Sequence, residues 1–162
     1  MKLLNYGFGL LLMAGLLTAC ASSKEGRSIK NNIDGEWTLQ TVNTEGINSK
    51  FTAKVFNETD LNCFIGSSWK FNANNSLGTY NLIGGTTGCA TLERNFRWSI
   101  YEPAGASKEF QFKRLNEKLK PMDDNNGFRL TVSMIDGSSM QLKSAITFEG
   151  KPGNIVYNFT KK

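Results

Sequence analysis

An all-β chain of about eight antiparallel strands, closed into an up-and-down barrel, is the fold this sequence predicts. Three observations predict it. Short runs of alternating apolar and polar residues recur from Trp37 to Phe159, the period of half-buried strands. Clusters such as Asp136-Gly137-Ser138 and Glu149-Gly150-Lys151-Pro152-Gly153 stand between runs and carry turn chemistry. Residues 62–90 set two runs on either side of Asn74-Asn75-Ser76, with Cys63 and Cys89 near the two ends, which reads as a β-hairpin. About eight strands is what a small barrel needs to close, and 162 residues suit one domain.

The N-terminal segment lies outside that domain. Met1-Lys2 gives a positive start, Leu3 to Leu17 is mostly apolar, and Leu17-Thr18-Ala19-Cys20 follows. The apolar run is short for a membrane span, contains Gly7, Gly9 and Gly15, and has no charge cluster beyond it. A leader ending on a cysteine resembles the lipobox of bacterial lipoproteins. The resemblance implies a signal peptide over residues 1–19 and a lipid, palmitate among its acyl chains, on Cys20 as the new N-terminus. Ala21, not Asp, follows that cysteine. By resemblance to sorting in other lipoproteins, this favours the outer over the inner membrane of a Gram-negative envelope. Residues 21–28 are small and polar without periodicity, and a flexible tether is expected over residues 20–32. It should hold the domain on the order of 20 Å from the bilayer.

With Cys20 lipidated, two of the three cysteines remain, Cys63 and Cys89. In an oxidising compartment they are expected to pair, stabilising the fold by roughly 3 kcal/mol on the chain-entropy model. The alternatives are two free thiols or half a metal site. The chain has no histidine, so a zinc site is short of its usual ligands.

The domain is expected over residues 33–162. Its first strand is Asp34-Gly35-Glu36-Trp37-Thr38-Leu39-Gln40-Thr41-Val42, with Trp37 and Leu39 on one face. Residues 44–62 form a long connection, and long connections are often functional. Within it Lys50 to Glu58 reads as a short helix or an irregular loop. Strand signals then recur at Trp69/Phe71, Tyr80/Leu82, Phe96/Trp98/Ile100 and Phe110/Phe112. They continue at Phe128/Leu130/Val132/Met134, Met140/Leu142 through Ile146 and Phe148, and Ile155/Tyr157/Phe159.

Gly35-x-Trp37 at the head of the first strand resembles the Gly-x-Trp signature of lipocalins. With the block from Cys63 to Phe71, Cys89, Gly127-Phe128-Arg129-Leu130 and Phe148-Glu149-Gly150-Lys151-Pro152, residues 33–162 resemble the lipocalin-like lipoproteins of Gram-negative envelopes. The resemblance implies a barrel with an apolar cavity, in which Gly35 and Trp37 build the floor and the long first connection forms a lid. Phe51, Val55 and Phe56 then line the mouth or simply close over the core. Trp69, Phe71, Trp98, Phe110 and Phe128 are candidates for the cavity wall. The Arg that covers the Trp in many lipocalins has Arg94, Arg97 and Arg129 as candidates, without a clear match.

Charge narrows the function classes. Lys and Arg number 19 against 14 Asp and Glu, and loss of Lys2 with the leader lowers the net charge from +5 to +4. The basic residues are scattered apart from small groups at Lys113-Arg114, Lys118 to Lys120 and Lys161-Lys162, and no basic run interleaves with aromatics as a nucleic-acid groove needs. An enzyme is not expected. The commonest general base is absent, and Ser67-Ser68 and Ser138-Ser139 have no base signalled nearby. Asp123-Asp124-Asn125-Asn126 lacks EF-hand spacing. No cofactor or metal is expected, and a monomer is. Two readings remain: a barrel that binds or carries a small hydrophobic ligand, and a structural or interaction lipoprotein whose barrel is filled by its own side chains.

Overall fold

The computed structural model describes residues 22–47, 52–85 and 88–162. The leader over 1–19, the lipidation candidate Cys20 and the lid candidate Phe51 lie outside the described residues. The elements in chain order are α1 (Lys24–Ile33), β1 (Gly35–Glu45), β2 (Lys54–Val55), β3 (Thr59–Asp60), a 3-10 turn at Leu61–Phe64, β4 (Ser68–Asn72), β5 (Leu77–Leu82) and β6 (Leu92–Tyr101). They continue with β7 (Glu109–Leu115), a 3-10 turn at Asp123–Asn125, β8 (Phe128–Ile135), β9 (Ser139–Phe148) and β10 (Lys151–Lys161).

Eight strands form a closed barrel in the order β1-β10-β9-β8-β7-β6-β5-β4, and β2 and β3 make a separate two-stranded ribbon. Every barrel pair is antiparallel. Consecutive strands from β4 to β10 are neighbours, and β1 closes the ring between β10 and β4. That is the up-and-down architecture the alternation predicts. Closure leaves the eight-stranded sheet without a free edge.

The sequence and structure differ first at the N-terminus. Residues 24–32, expected as part of the tether, form α1 together with Ile33, so the ordered body begins before Ile33. Ser23 caps the helix by accepting from the Gly26 amide at 2.9 Å. Ile29 and Ile33, one turn apart, are buried. Only two apolar residues carry this face, so polar composition masked it. Ser23 also bonds Glu102, and Lys108 pairs with both Glu25 and Glu102, which ties the helix start to the β6–β7 connection.

α1 and the start of β1 close one end, the floor. Trp37 is fully buried and its indole N–H donates to the Ile33 carbonyl at 2.7 Å. The cation over its ring is Lys161, with Nζ 5.2 Å from the centroid and donating to the Asn32 carbonyl at 3.1 Å. None of the three arginine candidates fills that role. Arg129 lies over Tyr101 at 4.5 Å, Arg97 is exposed on the outer wall, and Arg94 sits near the opposite end. The register explains the choice. Trp37 faces Lys161 across β1 and β10, at the C-terminal end of β10 beyond Phe159.

Three further boundaries shift. Residues 61–64 turn as a 3-10 helix, so the hairpin's first strand starts only at Ser68. A register shift between Val132 and Met134 breaks the alternation of β8 and leaves Met134 exposed while Leu130 is buried. The β9–β10 turn uses only Glu149 and Gly150, both with left-handed φ (49° and 76°), because Phe148 already pairs with Lys151.

Candidate functional site

The barrel interior is the candidate site. Alternation turns Trp37, Leu39, Trp69, Phe71, Tyr80, Phe96, Trp98, Phe110, Phe112, Tyr157 and Phe159 inward as one buried cluster. Phe128 packs against it, half-buried. Gly78 makes room for this crowding, since a Cβ there would stand 2.3 Å from the Phe96 ring. Trp69 is central: Tyr80 lies 4.7 Å away, Phe96 5.6 Å and Phe159 5.7 Å.

The connection between β1 and β4 supplies the stopper. Its ribbon β2–β3 turns at Phe56 and Asn57, both at φ 53°, and the Glu58 amide donates to the Val55 carbonyl at 3.0 Å. This replaces the helix or irregular loop expected there. The turn drives Phe56 into the mouth. Its ring meets Phe112 at 5.1 Å, Tyr157 at 5.4 Å, Phe64 at 5.4 Å and Phe128 at 5.5 Å. Val55 is buried beside it. A phenylalanine at left-handed φ is an uncommon conformation, held here by the packing around the ring.

The next residue but one, Glu58, latches the lid. Its carboxylate accepts from Tyr80 Oη at 2.7 Å, Arg94 Nε at 3.0 Å, Arg94 Nη2 at 2.8 Å and Arg114 Nη1 at 2.7 Å. Arg114 also donates to both oxygens of Asp123. Burial pushes the Glu58 carboxyl up, but the donors Arg94, Tyr80 and Arg114 outweigh it and hold it down at about 2. The Asp123 carboxyl is lowered by its bond from Arg114. Burial and the bond to Glu58 push the Tyr80 hydroxyl well above the ordinary phenol range. Arg114 is raised by Asp123 and Glu58, and Arg94 by Glu58. The cluster is fully paired: each carboxylate meets guanidinium forks.

Glu58, Tyr80 and Arg114 have no part in the sequence-derived site, and Arg94 enters it only as a candidate to cover Trp37. The signal was present. Arg94 continues the inward alternation of Phe96 and Trp98, and Arg114 that of Phe110 and Phe112. Register then sets Arg94 opposite Tyr80 and Arg114 opposite Phe96. Asp123, from the run that lacks EF-hand spacing, places its carboxylate on Arg114.

The interior left over is a cavity of about 10 Å³ among Phe56, Trp69, Phe71, Phe110, Tyr157 and their neighbours. One water needs about that much volume and polar partners as well. A drug-sized ligand needs about 300–1,000 Å³. Of the wall candidates, Trp69, Phe71 and Phe110 line this void together with Phe56. Phe128 reaches it only through its contacts with Phe56 and Phe112. Trp98 does not line it. It lies toward the floor, donating from Nε1 to the Leu77 carbonyl at 3.1 Å. Outside the mouth, the Cys63–Cys89 disulfide joins the 3-10 turn before β4 to the connection after β5.

The strand order and the closed ring define an eight-stranded antiparallel up-and-down barrel. No family model matches the chain, and no curated protein matches it either. Solved structures do. A lipocalin-like protein from Bacteroides uniformis is 14% identical with a TM-score of 0.45, the match covering 81% of this chain and 99% of that one. Apocrustacyanin C2 is 14% identical with a TM-score of 0.44, over 85% of this chain and 65% of that one. Lobster apocrustacyanin A1 is 15% identical with a TM-score of 0.43, over 89% and 72%.

Proposed function

We propose that the chain is an envelope-anchored barrel that binds a small hydrophobic ligand, with the β2–β3 ribbon as the closed lid over its mouth. The observation that carries the reading is Phe56. The centre of the mouth is filled by a ring from a connection, on a left-handed backbone, and not by a wall residue. Withdrawal of the β2–β3 ribbon removes Val55 and Phe56 together and leaves a chamber walled by aromatic rings. Aromatic walls with few charges suit an apolar guest. Glu58 times the opening, because its bonds to Tyr80, Arg94 and Arg114 must break first. A carboxyl held at about 2 and shared among three donors is a poor general base, so Glu58 serves as a latch.

The second reading, a filled barrel with a structural or interaction role, draws on the cavity of about 10 Å³. Protein purified from its native envelope without detergent exchange, then extracted into organic solvent for mass spectrometry, separates the two. The binding reading expects one apolar species enriched near one per chain. Extracts without such a species, and no saturable uptake of any apolar compound by the extracted protein, favour the filled barrel.

Anchoring rests on Cys20 in its lipobox-like setting. The start of α1 at Lys24 leaves few residues between that cysteine and the folded body. A lipid on Cys20 thus sets the domain close against an outer-membrane leaflet, nearer than a long tether allows. A monomer suffices for this arrangement.

A further inference from the structure

We infer that the outer wall of β6, β7 and β8 carries a second binding site, separate from the barrel interior, for an acidic polysaccharide segment. The β7–β8 connection folds back over this wall and encloses an open groove of about 920 Å³. Arg97, Lys113, Lys120 and Arg129 line it, and no carboxylate does among the described residues. Arg97 and Lys113 stand directly opposite each other on β6 and β7. Like charges so placed destabilise a sheet, and a bound anion converts that repulsion into attraction. Arg97 is exposed and meets no protein partner among the described residues. Lys113 is aimed by a bond to Asn125 Oδ1 at 3.0 Å. Arg129 faces Gln111 on the next strand and has Glu109 only at 3.8 Å.

The cations spread over three adjacent strands, about 5 Å apart when opposite and 7–8 Å on the diagonal. One small anion cannot engage them all, but a chain with a charge on each repeat can. Neutral groups beside them, Ser99, Gln111 and Asn126, suit hydroxyls. A single-stranded nucleic acid fits less well, since it needs exposed aromatic faces for its bases. Trp98 and Phe112 are buried in the core, and Arg129 covers the Tyr101 ring.

The test uses the mature chain and short polygalacturonate oligomers, with neutral dextran oligomers and oligothymidylate as comparisons, followed by calorimetry at low and raised salt. Wild type should bind polygalacturonate saturably, lose affinity as salt rises, and ignore dextran. Arg97→Glu should weaken binding by roughly tenfold or more. The same change places a carboxylate opposite Lys113, so its melting temperature should hold or rise. Lys24→Glu on α1 alters net charge equally but should leave binding unchanged. The inference is overturned if wild type fails to bind at low salt, if Lys24→Glu weakens binding as much as Arg97→Glu does, or if oligothymidylate binds more tightly than polygalacturonate. None of these results bears on ligand uptake by the interior.

Discussion

Replacing Phe56 with Ala tests whether the lid ring belongs to the core. The ring is only 7% exposed and touches Phe64, Trp69, Phe112, Phe128 and Tyr157. Truncation of such a ring typically costs about 3–5 kcal/mol, from lost transfer energy and the void left behind. Ala keeps a Cβ at φ 53°, so the backbone strain is not relieved. Gly relieves about 1–2 kcal/mol of it. Phe56→Gly should therefore be at least as stable as Phe56→Ala, the reverse of the usual order for an ordered segment. Urea unfolding at neutral pH, followed by Trp fluorescence and by far-UV circular dichroism, measures both. Two coincident transitions license the free energies. A loss below about 1 kcal/mol for Phe56→Ala would refute the reasoning, because a surface side chain costs no more than that.

Other outcomes follow from the same geometry. Glu58 has a folded value of about 2 against an ordinary 4.5, so its stabilisation is present above 4.5 and lost as pH falls towards 2. Wild type should lose on the order of 3 kcal/mol across that window, and Glu58→Gln should be less stable at neutral pH but flatter below about pH 5; equal slopes in acid titrations of the two would count against the latch. The Cys63–Cys89 bond closes a separation of 26 residues, so the double Ala variant should lose about 3–4 kcal/mol on the chain-entropy model, as read by denaturant midpoint. Cys20→Ala should move the protein from the membrane fraction to the soluble fraction, and unchanged retention after a carbonate wash would remove the lipid anchor from the account.

The barrel was legible because strand alternation depends only on which residues face inward, and turn residues mark where strands end. Cys63 and Cys89 were legible as a pair once Cys20 was set aside. α1 was not, because a helix held by Ile29 and Ile33 alone, with a Ser cap, looks like polar linker until a surface for those two residues exists. The latch stayed hidden for a related reason. The apolar signal of alternation ends before Arg94 and Arg114, though the strand period does not. Lys161 over Trp37 depends on β1 closing against the final residues of β10, a long-range register that no local pattern encodes. The left-handed turn at Phe56 and Asn57 lacks the Gly that usually announces such geometry. It is stabilised by tertiary packing, and that is why the lid read as a helix or an irregular loop.

The central claim is that the ribbon bearing Phe56 leaves the mouth to admit an apolar guest. Single-Trp variants, with the other two Trp residues replaced by Phe, test it most directly when titrated with a long-chain fatty acid. Trp69 borders the void and faces Phe56 at 6.3 Å, whereas Trp37 is sealed into the floor beneath Lys161. The account predicts a saturable change in Trp69 emission and none in Trp37. A response confined to Trp37, or no response of Trp69 to any apolar compound, would contradict it.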